Sequence, residues 1–179
     1  MGKYFGTDGI RYRAFEGLLT EDAIARYGRA IGAYVASKRP AGRVLVGRDP
    51  RASGPRIVAL TTAGLVDAGL TVVDGGVLTT PAVQTLCREE AFDLAVVVSA
   101  SHNPAHDNGL KLFGADGRKL PDAAEAAIEA AIDADGGPGA ASRREGGAFR
   151  TDADAERRYV KFIRETCLPG LDLRGLPVA

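Results

Sequence analysis

Apolar residues follow two rhythms along this chain, a helical one and a short unbroken one. From Thr20 to Arg39, Ile24, Tyr27, Ile31 and Val35 fall on one helical face behind Thr20, a good N-cap, and Pro40-Ala41-Gly42 stops the run. Arg43-Val44-Leu45-Val46-Gly47 reads as a short apolar strand. Ser53-Gly54-Pro55 opens a second helix with Ile57, Leu60, Leu65 and Ala68 on one face and Gly69 as its end signal. Leu70 to Asp74 is the next strand, and Thr80 caps a third helix with Pro81 in its first turn. Leu94 to Ser99 is a strand rich in β-branched residues, Leu112-Phe113 adds a short edge strand, and Pro121 to Asp133 is an alanine-rich helix.

Leu94-Ala95-Val96-Val97-Val98 is apolar at every position, the mark of a strand buried on both faces. Strands that alternate with helices need right-handed crossovers, so the expected fold class is α/β. It is a three-layer α/β/α domain around a mostly parallel sheet, with room for a mixed edge. This domain spans residues 1–150, and its aperiodic segment 135–147, rich in Gly, Ala and charge, reads as a mobile surface loop. Thr151 to Glu165 carries the last helical pattern, with Tyr159, Phe162 and Ile163 turned inward, so 151–167 is a final helix. Residues 168–179 read as a linker and the start of a further strand, which predicts a piece of a longer protein with a second domain to follow.

The composition narrows the functional classes. At 179 residues the chain suits one α/β domain, and 45% hydrophobic with 26% charged residues is ordinary for a globular protein. Lys+Arg and Asp+Glu both number 23, so there is no basic excess to attract nucleic acid. No apolar run reaches the ~18 residues that span a bilayer. The segment Met1-Gly2-Lys3-Tyr4-Phe5-Gly6 lacks a signal-peptide core, and Gly6 replaces the Ser or Thr of a myristoylation site. A cytoplasmic protein with no membrane partner is expected. Cys87 and Cys167 then read as reduced, buried thiols, and two cysteines with two histidines in no ligand spacing argue against a zinc site.

Candidate chemistry concentrates in Ser99-Ala100-Ser101-His102-Asn103-Pro104 and Asp107-Asn108-Gly109-Leu110-Lys111, directly after the doubly buried strand. Ligands of open α/β sheets bind beyond the carboxyl ends of strands. A serine there can act as nucleophile or phosphate carrier where a base and cations stand close. His102, Asn103 and Lys111 supply a base, an orienting group and a cation; the alternative is plain loop chemistry with a solvated lysine. No Gly-x-Ser-x-Gly elbow surrounds Ser101, which argues against a serine hydrolase.

These segments resemble the phosphoserine signature of the α-D-phosphohexomutase superfamily. Three more match in order: Lys3-Tyr4-Phe5-Gly6-Thr7-Asp8-Gly9-Ile10-Arg11, Val46-Gly47-Arg48-Asp49-Pro50-Arg51-Ala52-Ser53-Gly54, and Gly76-Val77-Leu78-Thr79-Thr80-Pro81-Ala82. The resemblance spans about residues 3–120 and extends more weakly to 179. It implies that phosphorylated Ser101 hands its phosphoryl group to a sugar phosphate and takes another back from the bisphosphorylated sugar. Positioning and charge stabilisation then carry most of the rate. Lys111 and Arg11 match the family's active-site positions as charge partners, Lys111 also as proton carrier, and His102 would move a proton or hold the serine loop.

The resemblance also implies Mg2+, with an oxygen of phosphorylated Ser101 as one ligand. The others would come from an Asp-Gly-Asp-Gly-Asp-Arg loop of a second domain, which this sequence does not contain. Asp8 and Asp49 read as loop-fixing residues. Arg48 and Arg51 stand either near the active-site floor or as a structural pair. The spelling of the opening and serine motifs favours a branch that interconverts glucosamine 6-phosphate and glucosamine 1-phosphate, over mannose or glucose phosphates. A non-catalytic interaction domain is the alternative from another class. Without its other domains the chain is expected to be inactive, and to pair with a second copy through the face they would cover. Two departures stand out: Tyr12 replaces a glycine whose φ would be expected to be positive, and Thr79 stands where Pro is common.

Overall fold

The computed structural model describes residues 2–137, 144–167, 169–172, 174–175 and 177. Its elements run β1 (Ile10–Arg13), α1 (Glu21–Lys38), β2 (Arg43–Arg48), α2 (Gly54–Asp67), β3 (Thr71–Val77) and α3 (Thr80–Glu89). There follow β4 (Leu94–Val98), β5 (Asp107–Gly114), α4 (Asp122–Ala134), β6 (Ala148–Thr151) and α5 (Ala155–Phe162), which winds on through a π-helical turn, Ile163–Cys167. The six strands form one sheet in the order β1-β5-β4-β2-β3-β6. β5 is antiparallel to both β1 and β4, and the other pairs are parallel, so the sheet is mixed with a single reversed strand.

The apolar periodicity explains the layers. Ile24, Tyr27, Ile31 and Val35 of α1 join Ile57 and Leu65 of α2 and Ile128 and Ile132 of α4 in one core with Val44, Val46, Val96 and Val98. On the other face Ala82, Val83, Leu86 and Cys87 of α3 and Ala155 of α5 pack against Leu45, Ala95, Val97 and Phe113. All five residues of β4 are buried because it lies in the middle of the sheet between these two cores. This is the expected three-layer α/β/α arrangement.

Several expectations change. The short strand around Leu112-Phe113 is eight residues long, and β5 is internal, flanked by β1 and β4. Two strands were not anticipated: β1, and β6, which pairs parallel to β3 before the last helix begins. Residues 148–151 thus belong to the sheet, and the final helix starts at Ala155. Thr79, one residue before the expected cap, caps α3: its hydroxyl accepts from Ala82 N at 3.3 Å. Thr20 caps α1 as expected.

Residues 138–143 of the expected mobile loop lie outside the described residues, but its described ends are anchored. Arg29 holds Asp135 at 2.5 Å, and Arg144 N donates to Asp67 O. The terminal segment 168–179 is only partly described. Tyr159 packs against the second core, whereas Phe162 and Ile163 are half-buried. Cys167 is exposed, against the expectation of two buried thiols; Cys87 is buried, and burial, aided by Asp116 and Asp93, pushes its thiol up to about 12. Among the described residues no helix is long and apolar enough to cross a membrane.

Tyr12 creates no backbone conflict. It sits in β1 opposite Asn108, and its ring covers Gly17, where a Cβ would come within 2.3 Å of it.

Candidate active site

Ser101 lies in the connection from β4 to β5. This is a tight antiparallel return rather than a helical crossover, so both strands hold the loop: Asp107 begins β5, and Ser99 N donates to Gly109 O at 3.0 Å. Ser101 is exposed with φ 61°, a left-handed conformation that an L-residue keeps only when its surroundings impose it. Ser99 is buried, and its hydroxyl accepts from Ser101 N at 2.9 Å. Asn103 N donates to Ala100 O, and Asn103 Nδ2 donates to Asp107 Oδ2 at 2.9 Å, which closes the loop on itself. The Asn108 side chain, fully buried, donates to Ser53 Oγ at 2.8 Å and accepts from Gly109 N, so the loop is also tied to the start of α2.

The loop between β2 and α2 reaches the same place. Asp49 N donates to Val98 O at the end of β4. The Asp49 carboxylate accepts from Arg51 N and Arg51 Nε, as expected of a loop-fixing aspartate. The Arg51 guanidinium then donates to the carbonyls of Ser101, Asn103, Pro104 and Asp107. Arg48 stays on its own loop, where it donates to Asp49 O at 3.3 Å. The two arginines, indistinguishable in sequence, therefore do different things.

Arg11 and Lys111 come from β1 and β5, next to the serine loop in register: Arg11 is opposite Gly109, and Lys111 is opposite Val97. Arg11 pairs with Asp8 at 3.1 Å, while its Nε is buried without a partner. The Lys111 ammonium has no hydrogen bond or ion pair among the described residues. Burial lowers its pKa from the ordinary lysine value, the Arg11 charge lowers it further, and Asp8 and Asp49 pull the other way. A lysine held in this way gives up its proton more readily than one in water. Beside it a cavity of about 210 Å³ opens between Asp8, Gly9, Lys111, Lys119 and Glu125.

Two glycines make this geometry possible. A Cβ at Gly9 would lie 2.2 Å from Leu110 O, so only glycine lets the opening loop settle onto β5 beside Lys111. A Cβ at Gly109 would lie 2.6 Å from Ile10 O and 2.9 Å from Arg11 Cγ. Gly109→Ala is therefore expected to cost about 1–3 kcal/mol of stability by overpacking and to push Arg11 out of place. Urea denaturation checks the first effect; a stability equal to that of the parent chain would refute it.

His102 is exposed, and its side chain has no hydrogen bond or ion pair among the described residues. It does not hold the serine loop, and it is free to meet an incoming group. Ser99, Ser53 and Asn108 were not anticipated as supports. Their signal in the sequence is faint, although Asn108 stands within the Asp-Asn-Gly string.

The model of the phosphoglucomutase/phosphomannomutase α/β/α domain I matches residues 2–137. The chain belongs to the phosphoglucomutase/phosphomannomutase family. Among curated proteins it is 48% identical to a phosphoglucosamine mutase of Xanthomonas campestris pv. campestris over 97% of this chain. It is 44% identical to one of Deinococcus deserti over 99%. The chain spans only 38% and 39% of the length of those relatives. A crystal structure of a phosphoglucomutase/phosphomannomutase family protein from Burkholderia thailandensis superposes with a TM-score of 0.69 at 29% identity, covering 89% of this chain and 35% of that one. Its fold is thus that family's first domain, and the serine loop described above lies inside the matched range.

Proposed function

We propose that this chain is the phosphoryl-carrying domain of a phosphohexose mutase and that Ser101 is the carrier. The observation that supports it best is one exposed serine with a left-handed backbone, held by hydrogen bonds from both sides of its loop, with Lys111 unpaired among the described residues and Arg11 paired only with the exposed Asp8 on the neighbouring strands. Arg11 and Lys111 offset charge on the transferring phosphoryl, and Lys111, with its lowered pKa, exchanges the proton of the attacking hydroxyl. His102, exposed in the loop and without a side-chain partner among the described residues, is the second candidate proton carrier. In the intact enzyme the reaction passes through a bisphosphorylated sugar.

The family's Mg2+ would take one oxygen from phosphorylated Ser101. Among the described residues no group of three or more His, Cys, Asp and Glu stands together to complete a cage, so these residues do not hold the ion by themselves. The substrate class is a sugar phosphate. Similarity to proteins named phosphoglucosamine mutase favours glucosamine 6-phosphate and glucosamine 1-phosphate. The reading also places the protein in the cytoplasm, with its substrates.

The test is mass spectrometry of the full-length gene product after incubation with a hexose 1,6-bisphosphate, followed by assays on glucosamine, glucose and mannose phosphates. An increment of about 80 Da, one phosphoryl group, mapping to Ser101 is expected, with glucosamine phosphate turned over best. Phosphate found elsewhere overturns the carrier role; equal turnover of mannose phosphate overturns the sugar assignment.

A further inference from the structure

Arg51 carries a cation at the serine loop, yet none of its hydrogen-bonding capacity is left for a phosphate. A guanidinium has five N–H groups. Nε donates to Asp49 Oδ2 at 2.9 Å, one terminal nitrogen donates to Pro104 O and to Asp107 O at 3.0 Å, and the other donates to Ser101 O at 3.0 Å and Asn103 O at 2.8 Å. All five are spent on protein acceptors. The side chain is 11% exposed.

We propose that Arg51 is a positioning residue that sets the backbone of the 101–107 loop before any phosphoryl group arrives. Carbonyls of a tight loop repel one another when they converge, and the planar fork gives each a donor in a fixed direction. It thereby holds Ser101 at φ 61° from the carbonyl side while Ser99 holds it from the amide side. A second consequence comes from peptide geometry. In a trans peptide the C=O and the next N–H point in opposite directions, and the chain has no cis bonds among the described residues. Turning Ser101 O towards Arg51 turns His102 N–H away from it, and that N–H has no partner among the described residues. That free amide, on the residue after Ser101, is left as a donor for a phosphoryl group on the serine. Arg51 thus contributes geometry, whereas Arg11 and Lys111 contribute charge. The part of this inference that concerns phosphoryl transfer rests on Ser101 being the carrier; the part that concerns loop geometry does not.

The test compares Arg51→Lys, which keeps the charge, with Arg51→Gln, which keeps neither charge nor fork, in the full-length gene product. Hydrogen exchange of residues 99–109 is expected to accelerate at least about 10-fold in both, as local opening of the loop, while α1 and α2 stay within about two-fold. Phosphorylation of Ser101 from a hexose bisphosphate should slow by roughly 10²-fold in both, the cost of a misplacement of about 1 Å, with KM for the sugar changed less than about three-fold. Unchanged exchange in the loop overturns the proposal whether or not Ser101 carries phosphate. Faster exchange with normal transfer reduces Arg51 to a loop anchor, and full activity in Arg51→Lys alone shows that charge is what counts; either result overturns it. If Arg51→Lys unfolds globally, with α1 and α2 exchanging as fast as the loop, and Arg51→Gln does the same, the positioning role is likewise refuted.

Discussion

Ser101→Ala in the full-length gene product loses turnover by at least about 10⁴-fold, the scale seen when a covalent nucleophile is removed. The other serine of the loop cannot take over: Ser99 is buried, and its hydroxyl accepts from Ser101 N. The substitution leaves the fold in place. Ser101 is exposed, its backbone carbonyl stays on Arg51, and alanine has the same Cβ in the same left-handed conformation. Thermal unfolding should therefore match the parent chain while activity and the phosphate on residue 101 both disappear. Retained activity would remove the carrier role outright. A large drop in stability would show instead that the Ser101 hydroxyl carries a contact absent from the structure described above.

The parts of the fold that were legible in the sequence are those where one physical rule acts alone. The five apolar residues of β4 have no reading but a strand buried on both faces, and that is what the two cores show. The periodic faces of α1 and α2 were equally plain. β5 is hard to read in sequence because polar residues and glycine interrupt its apolar ones. Asp107, Asn108 and Lys111 look like loop residues, and only the partners of Asn108 on Ser53 and Gly109 show why a fully buried amide is tolerated there. β1 and β6 are sheet edges of four residues each; Ile10-Arg11-Tyr12-Arg13 alternates, but over too few residues to stand out, and Ala148-Phe149-Arg150-Thr151 has a single large apolar residue. The cap of α3 was misplaced by one residue for a chemical reason: Pro81 has no N–H, and Ala82 N, the donor that needs an acceptor, is three residues beyond Thr79.

The site shows the same division. Motif spelling picks out Ser101, His102, Lys111 and Arg11, and the structure puts Arg11 on the edge strand β1 and Lys111 on the adjoining internal strand β5, which the serine loop leads into. The difference between Arg48 and Arg51 could not be read, because the acceptors of Arg51 are backbone carbonyls some fifty residues away, which leave no trace in residue type. Asp49, by contrast, was recognisable as a loop-fixing residue because Asp bonds its own neighbouring backbone so often.

Lys111→Met should make the domain more stable and the enzyme far slower. The pKa of Lys111 is lowered, chiefly by burial and then by Arg11, so in the folded chain the ammonium is disfavoured relative to the unfolded chain. The sign follows. Below the folded pKa both states are protonated, and folding bears the cost of burying that charge and of placing it near Arg11. As pH rises, the folded state loses the proton first, and the cost fades through the window that ends near the unfolded value of 10.5. Methionine fills similar space without the charge. Its variant is thus expected to be more stable than the unphosphorylated parent below the folded pKa of Lys111, with the gap closing as pH rises towards 10.5. Denaturant titrations at several pH values measure it, and a gap that widens with pH would contradict the assigned cause. Activity should move the other way, down roughly 10²–10⁴-fold, the usual contribution of a positioned proton carrier. Stability gained where activity is lost is the pattern of a residue kept for chemistry. Arg11 raises the cost of that lysine and lies opposite Gly109, next to the serine loop in register, so the same electrostatic conflict that weakens the fold keeps two cations on neighbouring strands close to the loop.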